Sequence, residues 1–369
     1  MAPRELAASA PSPIRDDPSR LAAFAAAIDA LRDRVEATVG AEDLARVRRV
    51  DRVSRVFEVV GRSLIHVALD PLTLLVGVLA LFVHKQLQTT EVGHTTLHGA
   101  YDRVAGAAHY RSTTFQWDTP IDEASWRTGH NLRHHGFTNI AHRDPDLRFG
   151  RTRLTEHLPG DPGHERPGLS TVINWATFTA GMNLHFTGML DLILDRRDVL
   201  RDRTWPSARV ALWRAFRSYA PYYAKSYLIF PLLAGPLWWK VVLANSMAEL
   251  LRNAYTAACI FCGHVGPGIV SYPEGTKARS RPEWYVMQCE ATQNFEVPYA
   301  LSVLCGGLDY QIEHHLFPRL PPERLRAIAG EVRQICHDHG VPYRSGTWPT
   351  VLSGAMREVF RIARGTPRA

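Results

Sequence analysis

The sequence predicts an all-α fold, a membrane-embedded helical bundle of about four spanning helices beneath a cytosolic helical cap. Three observations predict it. Two apolar regions, Leu64 to Val83 and Tyr227 to His264, are each broken by a proline turn, at Asp70-Pro71 and at Gly235-Pro236. Each therefore reads as a helical hairpin. In both, the long returning leg ends on imidazole, at His94 and His98 in the first and at His264 in the second. Between the hairpins Arg151, Arg153, Arg166, Arg196, Arg197, Arg201 and Arg203 make the chain strongly basic, which by the positive-inside tendency puts that segment, and the catalytic face, in the cytoplasm.

Taken in order, residues 1–20 read as a disordered lead rich in proline. They lack the apolar core and cleavage site of a secretory signal, so export is not expected. Leu21, Phe24, Ile28, Leu31 and Val35 then recur at helical spacing with charged residues between them, which predicts a surface helix. A second helix to about Arg62 carries Arg46, Arg48, Arg49, Arg52 and Arg55, a face suited to lipid headgroups or to water. The helix restarting at Leu72 can run to His98, about 40 Å at 1.5 Å per residue, so beyond a hydrocarbon core of about 30 Å its histidine end can protrude. The first leg holds Arg55, Glu58, Arg62 and His66, and mean hydropathy is only −0.16. These leave open an interfacial or re-entrant first leg, and a soluble helical bundle as the competing fold. Further along come a Pro/Gly-rich loop at Leu158–Gly168 and a partly apolar helix from about Ser170 to Leu194. The last element is an amphipathic helix marked by Leu325, Ile328, Val332 and Ile335. With no long repeat or low-complexity linker, the expected division is an N-terminal extension over 1–60 and one catalytic domain over 61–369.

The 369 residues carry 43 Lys and Arg against 36 Asp and Glu, a balance that suits an anionic membrane surface or an acidic partner. Nucleic acid is not expected as a partner, because no zinc-finger spacing, homeodomain-like helix or basic heptad region would place the charge in a groove. Five scattered cysteines do not make a disulfide framework. Cys259 and Cys262 lie in an apolar run without a second pair, which favours a buried helix face over a redox or cluster site.

The histidines carry the functional reading. His130, His134 and His135 fall within six residues, His94 and His98 lie four apart, and Gln311-Ile312-Glu313-His314-His315 follows far downstream. On an α-helix His130 and His134 share a face, so those two rings can converge on one ion while His135 reaches another. One such pair is ordinary on a helix face. Three clusters in one chain point to a metal centre. His109, His142 and His185 are isolated and read as core, interface or supporting residues. Asp144 and Asp146 can accept the free ring N–H of a ligand, although Asp-Pro-Asp is also common turn chemistry. Trp117, Trp126, Trp175 and Trp284 read first as interfacial aromatics, with lining of an acyl path as the alternative.

The order His-x3-His, His-x3-His-His, Gln-x2-His-His resembles the three histidine boxes of the membrane fatty acid desaturase family. The surroundings are similar too, over Gly93 through Asp102, Gly129 through Asp146 and Gly306 through Pro318, within a likeness covering roughly residues 60–345. The third box is similar to the branch headed by Gln. The resemblance implies two iron ions held by His94, His98, His130, His134, His135, His264, His314 and His315. Gln311 stands where other branches have a further His and is expected to contact water or to support a ligand. It also implies O2 as co-substrate and a double bond introduced into an acyl chain carried on coenzyme A, a carrier protein or a lipid.

Removing hydrogen from an unactivated methylene pair needs an oxidised metal centre, because no side-chain pKa reaches such a C–H bond. The sequence has no His-Pro-Gly-Gly haem motif, no four-Cys cluster and no Gly-x-Gly-x-x-Gly fold, so an external ferredoxin or cytochrome is the expected electron donor. A hydroxylase on the same centre is the nearest alternative. A zinc-dependent membrane hydrolase is more distant, since eight histidines exceed the usual three protein ligands of catalytic zinc. A non-catalytic lipid-binding protein is further off still.

Overall fold

In a computed structural model, residues 12–149, 152–159, 167–194 and 206–364 are described. The chain starts with a 3-10 turn, Pro13–Asp16, and helix α1, Pro18–Glu36. Asp17 caps α1 by accepting from the Ser19 and Arg20 amides, with Pro18 at the first helical position. Residues 12–20 are thus ordered structure and not a loose lead, while 1–11 lie outside the described residues. The predicted stripe Leu21, Phe24, Ile28, Leu31 and Val35 is buried against Ile312, Leu325, Ile328 and Val332, so α1 is a core helix on one face.

Helix α2, Ala41–Val67, and α3, Pro71–Leu87, form the first hairpin. Asp70 caps α3 by accepting from the Thr73 amide at 2.9 Å, and Pro71 follows it. The legs meet backbone to backbone. A Cβ on Gly61 would lie 2.7 Å from the Leu81 amide, and one on Gly77 would lie 3.0 Å from that of Ile65; only glycine permits this approach. The expected boundary at residue 60 falls inside α2. A π-helical turn, Gln88–His94, and α4, Thr95–Leu97, carry the same rod onward.

The intervening region holds α5 (Glu123–Trp126), a π-helical turn (Arg127–His134), and the paired strands β1 (Arg148–Phe149) and β2 (Thr152–Arg153). The single helix expected from Ser170 to Leu194 is three, α6 (Pro167–Ala176), α7 (Phe178–Thr187) and α8 (Met189–Ile193). Gly188, at φ 80°, breaks the last two apart. Of the arginines that marked this segment as basic, Arg151, Arg166, Arg196, Arg197, Arg201 and Arg203 lie outside the described residues, as does the middle of the 158–168 loop.

The second hairpin is α9 (Ala208–Ala224), a π turn (Lys225–Ile229) and α10 (Phe230–Leu233), then α11 (Trp238–His264). It packs on the first through Ile65, Val78, Leu81, Val241, Ala244 and Ala248. Glu249 accepts from Lys85 Nζ at 2.8 Å and from the Tyr222 hydroxyl at 2.7 Å, and also pairs with the fully buried Arg252. Among the described residues one helix, Pro71–Leu97, is long and apolar enough to cross a membrane. The other three legs are diluted by charges such as Arg55, Glu58, Lys225 and Glu249, which form ion pairs.

The cap is completed by α12 (Arg281–Ala291), β3 (Asn294–Glu296), α13 (Tyr299–Cys305), α14 (Gln311–Leu316) and α15 (Pro322–His339). Strand β4 (Ser345–Thr347) pairs parallel with β3, and α16 (Trp348–Ala363) follows. All five cysteines are buried thiols, as the apolar setting of Cys259 and Cys262 predicted.

Candidate metal centre

Four parts of the chain deliver histidine to one place where bundle meets cap. His94 closes the π turn on the rod that begins at Pro71, and His98 follows one turn later. The turn is held by Trp117, whose indole N–H donates to the Gln88 carbonyl at 2.9 Å. The same indole fills the space beside Gly93, where a Cβ would come 1.8 Å from Trp117 Nε1. His130 and His134 lie on the second π turn, whose wider winding lets the His135 amide bond to the His130 carbonyl at 3.1 Å. His264 ends α11, and His314 and His315 lie on α14.

These rings fall into two adjoining groups. Ligand atoms of His94, His98, His130 and His314 all lie within 4.8 Å of one another, and so do those of His134, His264 and His315. His135 sits between them, its ring centre 4.7 Å from His98 and 4.3 Å from His315. The spacing argument paired His130 with His134 on one ion. Their rings stack 5.0 Å apart, and their ligand atoms also lie within 4.8 Å of each other and of Asp146, so this pair has ligand spacing too.

Hydrogen bonds to outer side chains fix several rings. Asp144 Oδ1 and Oδ2 lie 3.0 and 3.1 Å from His134 Nδ1, the role anticipated for it. Asp146 stands farther off, 3.5 Å from His130 Nδ1 and 3.6 Å from His134 Nδ1. Gln311 places its amide nitrogen 2.7 Å from His264 Nε2. Gln288, which sequence reading missed, and Thr138, which it placed only within the family-like stretch Gly129 through Asp146, approach His315 Nδ1 at 2.9 and 3.2 Å. Asn294 and Tyr343 were missed as well. They donate to Glu313 at 2.7 and 2.8 Å and turn that side chain away from the rings. Only proximity in space marks these residues.

The electrostatics favour cation binding. Burial holds His130, His135, His314 and His315 well below the usual imidazole range, so they are neutral with a lone pair to offer. Burial also opposes charge on His134, but the Asp144 and Asp146 carboxylates raise it to about 9. Buried and without a hydrogen-bond partner are both ring nitrogens of His130 and His135, and Nε2 of His134, His314 and His315. So many orphaned lone-pair atoms in one place are costly unless an ion takes them. His94 Nε2 and His98 Nε2 are 3.2 Å apart, close to the roughly 3 Å between two nitrogens bound at right angles with bonds of about 2.1 Å. The donor set fits a pair of nitrogen-favouring transition metals.

An apolar cleft opens on these rings, lined by Trp117, Ile121, Trp126, Phe178, Met182, Ile260 and Leu308 together with His94, His130, His134 and His264. Trp117 and Trp126 are buried in it, so the interfacial reading of these two does not hold. A further cluster, Glu58, His84 and Asp118, also has ligand spacing. Arg62 and Lys225 reach Glu58 at 3.0 and 2.8 Å, and Arg55 reaches Asp118, so its charge is already met.

Residues 69–347 match the family model described as fatty acid desaturase. An NADPH-dependent stearoyl-CoA 9-desaturase of Mycobacterium tuberculosis is 32% identical over 347 residues, 92% of this chain and 79% of that one. A Delta(8)-fatty-acid desaturase of Euglena gracilis is 26% identical, covering 74% and 68%. Human fatty acid desaturase 3 is 24% identical, covering 64% and 49%. A match of this extent, on a chain whose histidines converge beside an apolar cleft, makes this enzyme a member of the fatty acid desaturase family.

Proposed function

We propose that the enzyme uses O2 and two iron ions to introduce a double bond into the acyl chain of a coenzyme A thioester. On this reading His94, His98, His130 and His314 hold one ion, His134, His264 and His315 hold the other, and His135 lies in reach of both. The observation that carries it is the pair of adjoining imidazole groups at the end of an apolar cleft. Bound there, a pair of irons supplies with O2 the oxidising power that an unactivated methylene requires. The protein's own part is placement. Asp144 holds His134, and Gln288 with Thr138 holds His315, each leaving Nε2 toward the group. Ile121, Met182, Ile260 and Leu308 exclude water and give the acyl chain an apolar wall.

Coenzyme A is the proposed carrier because the Mycobacterium tuberculosis relative is named for stearoyl-CoA. The proposal includes a multi-pass membrane enzyme with its catalytic face in the cytoplasm. Its crossing helices would be α2, the rod from α3 to α4, the rod from α9 to α10, and α11. Large apolar residues exposed along all four, among them Val56, Leu75, Leu232 and Met247, support that reading. An external one-electron carrier, of ferredoxin or cytochrome type, completes it. Expression of the full chain in a host of known lipid composition tests the function. A new species lacking two hydrogens is expected, and none with His134→Ala. An unchanged profile from iron-loaded, reducible enzyme contradicts the proposal, and a species that gains one oxygen identifies a hydroxylase instead.

A further inference from the structure

A second pocket borders side chains that approach one of these histidines. Phe137, Thr138, Arg143, Lys277, Trp284 and Gln288 contribute to a pocket that shares none of its described lining with the apolar cleft. Thr138 and Gln288 are the two residues whose oxygens lie 3.2 and 2.9 Å from His315 Nδ1. They also bond to each other at 2.9 Å. One hydrogen bond therefore separates this opening from a ring of the candidate centre, while the acyl cleft is left clear.

The character of the pocket is that of a protein contact. Among its described lining residues the charged ones are Arg143 and Lys277, both cations. Arg143 lies over the Phe137 ring at 3.9 Å, and Trp284 is partly exposed on the same wall. Lys277 is exposed, on the segment that leads into α12. Aromatic residues beside cations recur at protein interfaces, and complementary charge sets encounter rate and orientation for small transient contacts.

We propose that this pocket is where an acidic one-electron carrier protein docks, and that electrons enter through Gln288 and Thr138 to His315. The proposal rests on the di-iron desaturase reading. The balance is fixed by that reaction: –CH2–CH2– + O2 + 2 e⁻ + 2 H⁺ gives –CH=CH– + 2 H2O. The acyl chain loses two hydrogens. The carrier delivers the two electrons singly, one from each of two reduced molecules, and solvent supplies the two protons. Entry at His315 keeps the carrier away from the cleft in which the acyl chain lies.

The test uses full-length, iron-loaded enzyme in lipid nanodiscs with stearoyl-CoA. Electrons come from an acidic [2Fe–2S] ferredoxin, or in a parallel arm from soluble cytochrome b5, each with its NAD(P)H reductase. Lys277→Glu is expected to raise the apparent KM for the carrier about tenfold at low salt. The difference should shrink to within about twofold at high salt, as screening removes steering. Arg143→Glu should act in the same direction. Single turnover after dithionite reduction should be unchanged in Lys277→Glu, which also shows that this variant is folded. A carrier KM within twofold of the unaltered enzyme in Lys277→Glu overturns the docking site. So does an unaltered enzyme that turns over once with dithionite but accepts electrons from neither carrier. Absence of product in every arm, single turnover included, instead overturns the desaturase reading on which this rests.

Discussion

The two imidazole groups are built differently. In the group of His134, His264 and His315, each ring has a side-chain partner from outside the histidine set: Asp144, Gln311, and Gln288 with Thr138. In the group of His94, His98, His130 and His314, the rings are held chiefly by packing. Trp126 stacks on His130 at 4.5 Å and 25°, and meets His94 and His98 edge-on at 5.5 and 5.3 Å. One side is oriented by directional bonds, and the other is shaped by an aromatic wall that a bound ion would complete. Thr138 and Gln288, which hold the bonded side, also line the polar pocket, while the apolar cleft is lined by rings of both groups, His94 and His130 with His134 and His264.

That contrast can be broken in graded ways. His134→Ala should have the largest effect, abolishing product and lowering iron content toward one per chain by metal analysis. Asp144→Asn keeps the shape but removes the negative acceptor, and a loss of about 10- to 100-fold in iron affinity or activity is expected. Gln288→Ala should fall near the lower end of that range, because Thr138 still faces His315 Nδ1. Trp126→Leu should be mildest. An aromatic contact worth about 0.5–1.5 kcal/mol is lost, so the packed group should release its iron a few-fold faster to a chelator, followed by stopped-flow absorbance, while the bonded group keeps its rate. If Asp144→Asn and Trp126→Leu speed release from both groups equally, the contrast is without consequence.

Much of this was legible in the residues. Asp70-Pro71 and Gly235-Pro236 mark real breaks, and the leg ending at His264 runs from Trp238 to that residue. Seven of the eight candidate histidines stand out because ligand chemistry uses a rare residue type in dense clusters, and His264 entered the ligand set only through the family resemblance. What stayed hidden depends on geometry that periodicity does not encode. Two π-helical turns carry box histidines, and a reading based on 3.6 residues per turn does not anticipate that winding. Gln288, Asn294 and Tyr343 are common residues with no motif, and their importance comes from packing partners far along the chain. Helix α16 went unread because its buried face includes Gly354, Ala355 and Glu358 and offers no long apolar run.

Anomalous diffraction at the iron absorption edge, on crystals of the iron-loaded enzyme, is the most direct measurement. Two peaks are expected, one among His94, His98, His130 and His314 and one among His134, His264 and His315, with His135 beside both. A single peak, or signal that appears only at the zinc edge, would contradict the di-iron account.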